Sequence, residues 1–106
     1  GWNNQRWPFT HLGSGQYKIV ALHSGKALDV NGASTADGAQ LIQWPYGGGN
    51  NQKWKVTPLG DGYYRITAVH SGKDVNVGGN STADGASVVQ YPFEGGWNSY
   101  WSILAP

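Results

Sequence analysis

A chain of 106 residues with a formal net charge of +1 and only 12% charged residues is long enough for one domain with its own core, and too sparsely charged to favour a polyanionic partner. Its seven Lys and Arg stand singly, which argues against nucleic acid, and no apolar run approaches the ~20 residues that span a bilayer. With no cysteine there is neither a disulfide framework nor a thiolate metal site, and the wealth of Gly, Asn, Ser, Thr and Trp points instead to a neutral polar partner.

Gly1 to Trp7, G-W-N-N-Q-R-W, reads as a closing turn and last strand, and Gly13-Ser14-Gly15 as a turn. Tyr17 to Leu22 alternates in the period-two pattern of a half-buried strand, and Ser24-Gly25-Lys26 turns the chain. Ala27 to Val30 is a second short strand in which alternation turns Asp29 away from Leu28, Val30 and the core. Asn31 to Gly38 is a polar connection, Gln40 to Trp44 a third strand stopped by Pro45, and Gln52 to Thr57 a fourth after the glycine-rich stretch at 47–49. No apolar spacing of three to four persists long enough for a helix, and 17 glycines would weaken one, so the chain is expected to be all-β.

The stretch from Tyr17 to Trp54 is written again from Tyr64 to Trp101 at a shift of 47, without a gap and with more than half of the pairs identical, including S-T-A-D-G-A at 34–39 and 81–86. The same shift sets Asn4, Gln5 and Trp7 against Asn51, Gln52 and Trp54. The chain therefore divides into 1–16, the end of one repeat, then 17–63 and 64–106, all in one domain. Repeats of four short strands that cannot each close a core are expected to form a pseudo-threefold barrel. Two complete repeats and the tail of another leave that barrel N-terminally incomplete, and self-association or a companion fragment is expected to complete it.

Asp29, Trp44 and Asn51 place an acid, an aromatic and an amide on neighbouring segments. A pyranose packs its C–H face on an aromatic ring and offers hydroxyls to a carboxylate and an amide, so this set suits a sugar. Each residue also has a plainer reading: Trp44 could seal the barrel end, Asp29 could be a solvated turn residue, and Asn51 could serve only the glycine-rich loop. Gln52 and Trp54, matched by Gln5 and Trp7, read as structural.

With L-D-V at 28–30, Q-W at 43–44 and N-Q-K-W at 51–54, the chain resembles the ricin-type β-trefoil lectin repeat along its whole length, and by pattern it is similar to family 13 carbohydrate-binding modules. The resemblance implies a β-trefoil fold and sugar binding by Asp29, Trp44 and Asn51. In the other complete repeat Asn76, Tyr91, Asn98 and Ser99 stand where Asp29, Trp44, Asn51 and Gln52 do. An amide accepts less strongly than a carboxylate, so this site is expected to be weaker.

His11, His23 and His70 fall in turn-like contexts without a second ligand at metal spacing, and Asp37 and Asp84 read as turn residues rather than calcium ligands. Asp29, Asp37, Asp61, Asp74, Asp84 and Glu94 are dispersed by the repeat and do not form the opposed pair of a glycosidase. The reading is a secreted, non-catalytic, cofactor-free module that binds neutral poly- or oligosaccharide beside a glycoside hydrolase. A free-standing lectin, and a trefoil serving as protein-interaction scaffold or protease inhibitor, are the alternatives.

Overall fold

The computed structural model describes residues 7–77, 88–93, 95–96 and 100–102. Among these residues nine strands follow in order: β1 (Phe9–Gly13), β2 (Gln16–Ile19), β3 (Ala27–Val30), β4 (Leu41–Trp44), β5 (Trp54–Gly60), β6 (Tyr63–Ala68), β7 (Asp74–Val77), β8 (Val88–Tyr91) and β9 (Trp101–Ser102). Two single 3-10 turns, Asn31–Ala33 and Asn50–Gln52, are the helical content of the described residues.

The pairing obeys the shift of 47. In β1–β2, Phe9, Thr10 and His11 oppose Ile19, Lys18 and Tyr17, and in β5–β6, Val56, Thr57 and Pro58 oppose Ile66, Arg65 and Tyr64. Tyr17 pairs with Trp54 as Tyr64 pairs with Trp101, and Val20 bridges Ala27 as Thr67 pairs with Asp74. The result is a seven-stranded antiparallel sheet in the order β1-β2-β5-β6-β7-β8, with β9 on β6, and the separate hairpin β3-β4. Both long hairpins turn through three consecutive residues at positive φ, Gly13-Ser14-Gly15 and Gly60-Asp61-Gly62. Glycine at the outer positions makes that path accessible, while Ser14 and Asp61 occupy the left-handed region that short polar residues tolerate.

Equivalent residues fill one core: Ile19 with Ile66, Leu28 with Val75, Leu41 with Val88, together with Trp54, and Trp7 and Trp101 pack against this cluster. Trp54 has no exposed surface, and its indole Nε1 donates to Leu28 O at 3.2 Å. Trp101 Nε1 donates to Val75 O at 2.9 Å in the same way. The tryptophan at this position of each complete repeat therefore packs in the core and ties its own strand to the β3-type strand, whether or not a Gln stands two residues before it.

Three expectations change. The fourth strand begins at Trp54 rather than Gln52, because Asn50–Gln52 wind into a 3-10 turn closed by Gln52 N–H to Gly49 O at 2.9 Å. It runs on through Pro58, where only β6 is a partner and a missing donor costs nothing on the open side. His11 lies within β1, its ring 5.1 Å from that of Tyr17, not in a turn.

Candidate functional site

β3 and β4 pair with Ala27 opposite Trp44 and Asp29 opposite Ile42. Ala27, Asp29 and Trp44 therefore share one face of the hairpin, with Asp29 diagonal to Trp44, while Leu28 and Val30 face the core. β7 and β8 repeat the register with Asp74 opposite Tyr91, so that Asn76 is diagonal to Tyr91.

Asp29 turns away from the core as alternation requires, yet it is not solvated: only 5% of its surface is exposed. What covers it comes from the 3-10 turn. Asn51 Nδ2 donates to Asp29 Oδ1 at 3.0 Å and to Val30 O at 3.3 Å. Gln52 Nε2 donates to Asp29 Oδ2 at 2.8 Å and to Pro45 O at 3.0 Å, while Gln52 Oε1 accepts Gly47 N–H at 2.7 Å and Gly48 N–H at 3.2 Å. Gln52 thus spends both amide hydrogens and both lone pairs of its oxygen on fixing the carboxylate and the Pro45–Gly48 loop. Each Asp29 oxygen keeps a further lone pair, and Asn51 keeps its Oδ1 as an acceptor.

Trp44 ends β4 with 60% of its surface exposed, and Tyr46 beyond Pro45 is 36% exposed. Lys18 Nζ sits 4.9 Å from the Tyr46 ring centroid, and at the equivalent place Arg65 Cζ lies 4.2 Å from that of Phe93. Gly49 belongs to the same constellation, since a Cβ there would stand 2.7 Å from Asn51 Oδ1. The structure therefore assembles Asp29 and Asn51 by direct contact and places Trp44 on their strand face with its ring in solvent.

In the other repeat Asn76 is buried at 5% exposure and Tyr91 is 39% exposed, so these two stand as their counterparts do; Asn98 lies outside the described residues. Asp74 departs from its counterpart Ala27. It is fully buried, accepts from Arg65 Nε at 2.9 Å, Arg65 Nη2 at 2.8 Å and Thr67 Oγ1 at 2.8 Å, and so ties β6 to β7. Neither the Asp74 contacts nor the Tyr46 ring was apparent from motif spacing. A repeat-to-repeat comparison carries the signal, because Lys18, Val20 and Ala27 become Arg65, Thr67 and Asp74 together. Asp37 lies 3.3 Å from Lys73 Nζ, and Asp84 is outside the described residues.

The model of the ricin-type beta-trefoil lectin domain-like family matches residues 3–103. A designed threefold-symmetric protein, ThreeFoil, superposes with a TM-score of 0.92 at 54% identity, over 94% of this chain and 71% of that one. An exo-beta-1,3-galactanase from Clostridium thermocellum superposes at 0.88 with 46% identity over 91% of this chain, which spans only 21% of the galactanase. A Macrolepiota procera ricin B-like lectin, solved with lactose, has the same fold at 0.79 and 19% identity, over 100% of this chain and 84% of the lectin. No match emerges among curated protein sequences. An all-β chain built on a shift of 47, with its Gln-x-Trp indole in the core and a model match over almost its whole length, belongs to the ricin-type β-trefoil lectin-like family and has the β-trefoil fold.

Proposed function

We propose that the chain binds neutral oligo- or polysaccharide without catalysing a reaction, through Asp29, Asn51 and Trp44. The observation that carries this reading is a buried carboxylate held by two side-chain amides, with lone pairs to spare, on the same hairpin face as a 60% exposed indole. The carboxylate and Asn51 Oδ1 accept hydroxyl hydrogens, and the indole takes the apolar face of the ring. Against catalysis, the two described buried carboxylates stand on different hairpins, Asp29 on β3 and Asp74 on β7, and Asp74 is taken up by Arg65 and Thr67. An opposed pair flanking one sugar is not formed by them.

The likeness to part of a galactanase supports a role as the ancillary module of a secreted carbohydrate-active enzyme, and makes β-1,3-galactan the first polymer to try. Asn76 and Tyr91 form a second, weaker site. Two weak sites on one polymer gain retention from effective concentration alone.

Affinity electrophoresis in gels containing galactans and other neutral plant polysaccharides tests the proposal, with calorimetry on soluble oligosaccharides. Retardation that disappears in Asp29→Ala is the expected result. Binding to soluble glycans but to no polymer would point to a free-standing lectin, and no binding to either would overturn the proposal in favour of a scaffold or inhibitor.

A further inference from the structure

Lys18 stands on the face that carries the proposed sugar site. Val20 bridges Ala27 in antiparallel register, so Lys18, two residues before Val20, and Asp29, two after Ala27, lie on the same side of the sheet, and Ile19 turns to the core. Trp44, directly across from Ala27, lies on that side too. Lys18 is half-buried, and its Nζ is held 4.9 Å from the ring centroid of Tyr46, two residues after Trp44. An exposed indole, a positioned cation, a buried carboxylate and an amide thus border one surface.

The other complete repeat shows what a cation takes at this place. Arg65, the counterpart of Lys18, lies over Phe93 as Lys18 lies over Tyr46, and it donates from Nε and Nη2 to the Asp74 carboxylate at 2.9 and 2.8 Å. In 17–63 the cation and the ring are kept and the carboxylate is gone, since Ala27 stands where Asp74 does. Among the described residues the ion pairs are Arg65 with Asp74 and Lys73 with Asp37, and Asp29 is met by Asn51 and Gln52, so Lys18 keeps its charge without an anion. Ala27 has no exposed surface, so an anion reaches this ammonium from the solvent side of the hairpin, where Trp44 is.

We propose that Lys18 makes the 17–63 site selective for an acidic sugar, a uronic acid unit whose ring lies on Trp44, whose hydroxyls meet Asp29 and Asn51, and whose carboxylate pairs with the Lys18 ammonium. This selectivity rests on the sugar-binding reading of Asp29, Asn51 and Trp44, and it names the unit of an otherwise neutral chain that the site prefers. Asp29 and Ala27, two apart on one strand, are separated by about 7 Å, which one pyranose with its exocyclic carboxyl spans. Hydroxyls therefore reach Asp29 while the sugar carboxylate stands clear of it. The 64–106 site lacks the preference, because Asp74 already occupies Arg65.

The test is an NMR titration of the isotope-labelled chain with matched methyl glycosides taken to high millimolar concentration, galactoside against galacturonoside and glucoside against glucuronoside, the members of each pair differing only in the group on C5. In at least one pair the uronoside is expected to bind about threefold more tightly at low salt, the size of a partly exposed ion pair. The gain should shrink in about 1 M salt, which screens exposed charges beyond about 3 Å. Lys18→Gln is expected to bind both members of each pair alike, and Lys18→Arg, which places at 18 the residue the fold already carries at 65, is expected to keep the preference. A neutral glycoside that binds as well as its uronoside in both pairs overturns the proposal and leaves the sugar site standing. So does a preference that survives in Lys18→Gln. No saturable shift from any of the four also overturns it, and retardation on neutral polysaccharide then decides separately whether the sugar-binding reading fails with it.

Discussion

Gln52 Nε2 reaches back 23 positions to donate to Asp29 Oδ2 at 2.8 Å, so the residue that orients the proposed sugar acceptor is itself a structural anchor. Asp29→Ala therefore has two effects. It is expected to remove polysaccharide retention, and it strands the Asn51 and Gln52 donors in a buried place at a cost of about 1–3 kcal/mol. Gln52→Glu is expected to be worse than Gln52→Ala, because it sets a second carboxylate against a buried one. Thermal melts of the three variants check the order. If Asp29→Ala melts like the parent, the two bonds to Asp29 carry no net stability.

Trp44 separates binding from folding more cleanly. Its ring is 60% exposed at the end of β4, so Trp44→Ala is expected to leave the melt unchanged within about 0.5 kcal/mol. Sugar affinity should fall by about 1–3 kcal/mol, by analogy with bases stacked on aromatic platforms. Calorimetry alongside melting distinguishes this from the plainer role of sealing the barrel end, which would lower the melt and leave affinity alone.

Most of the fold is legible in the sequence because the repeat copies pairings as well as letters. Once Tyr17 is known to oppose Trp54, Tyr64 must oppose Trp101. Side-chain cover is less legible. Period-two alternation tells which face Asp29 is on, but what lies over that face comes from a 3-10 turn at Asn50–Gln52, and a short polar run beside three glycines does not announce its winding. Asp74 was hidden for a similar reason. A lone acid in a list of six becomes meaningful only when Arg65 and Thr67 are seen to change with it.

The two repeats are expected to bind unequally, and Asn76→Asp alone is expected not to equalise them. In the first, the acceptor depends on Gln52 for its orientation, and the counterpart of Gln52 is Ser99. Asn76→Asp with Ser99→Gln should raise the number of sites seen by calorimetry from one to two. If the single change suffices, orientation by the glutamine is not what limits the second site.

Gly49→Ala probes Asn51 without touching it. The backbone at Gly49 has φ −71, which alanine adopts freely, but the new Cβ would meet Asn51 Oδ1 at 2.7 Å and push the amide from its place over Asp29. A loss of sugar affinity is expected, with the melt lowered by no more than the loss of the Asn51 hydrogen bond to the buried Asp29 explains, about 1–3 kcal/mol. Unchanged affinity would mean that Asn51 takes no part in binding.

The last prediction concerns Asp74, whose buried carboxylate is bound by Arg65 and Thr67 and whose counterpart in the other repeat is alanine. Breaking a buried ion pair from one side leaves a charge without its partner, so Asp74→Ala alone is expected to cost about 3–5 kcal/mol, somewhat less if Arg65, which is 29% exposed at its side chain, turns to water. The repeat at 17–63 shows how the same place is built without the pair. Lys18, Val20 and Ala27 stand there, and Lys18 still reaches over the Tyr46 ring as Arg65 does over Phe93. Transplanting all three, as Arg65→Lys, Thr67→Val and Asp74→Ala, removes the guanidinium fork and the Thr67 hydroxyl together with the acceptor, and leaves an ammonium to sit over the aromatic ring as Lys18 does. Replacing a buried polar set by apolar groups of a shape the fold already tolerates can be close to neutral. The triple variant is therefore expected to recover most of what Asp74→Ala loses, measured by urea denaturation of the single, double and triple variants. Additive losses across that series would show that the three residues act independently, and that the contacts among them are not what the substitution disrupts.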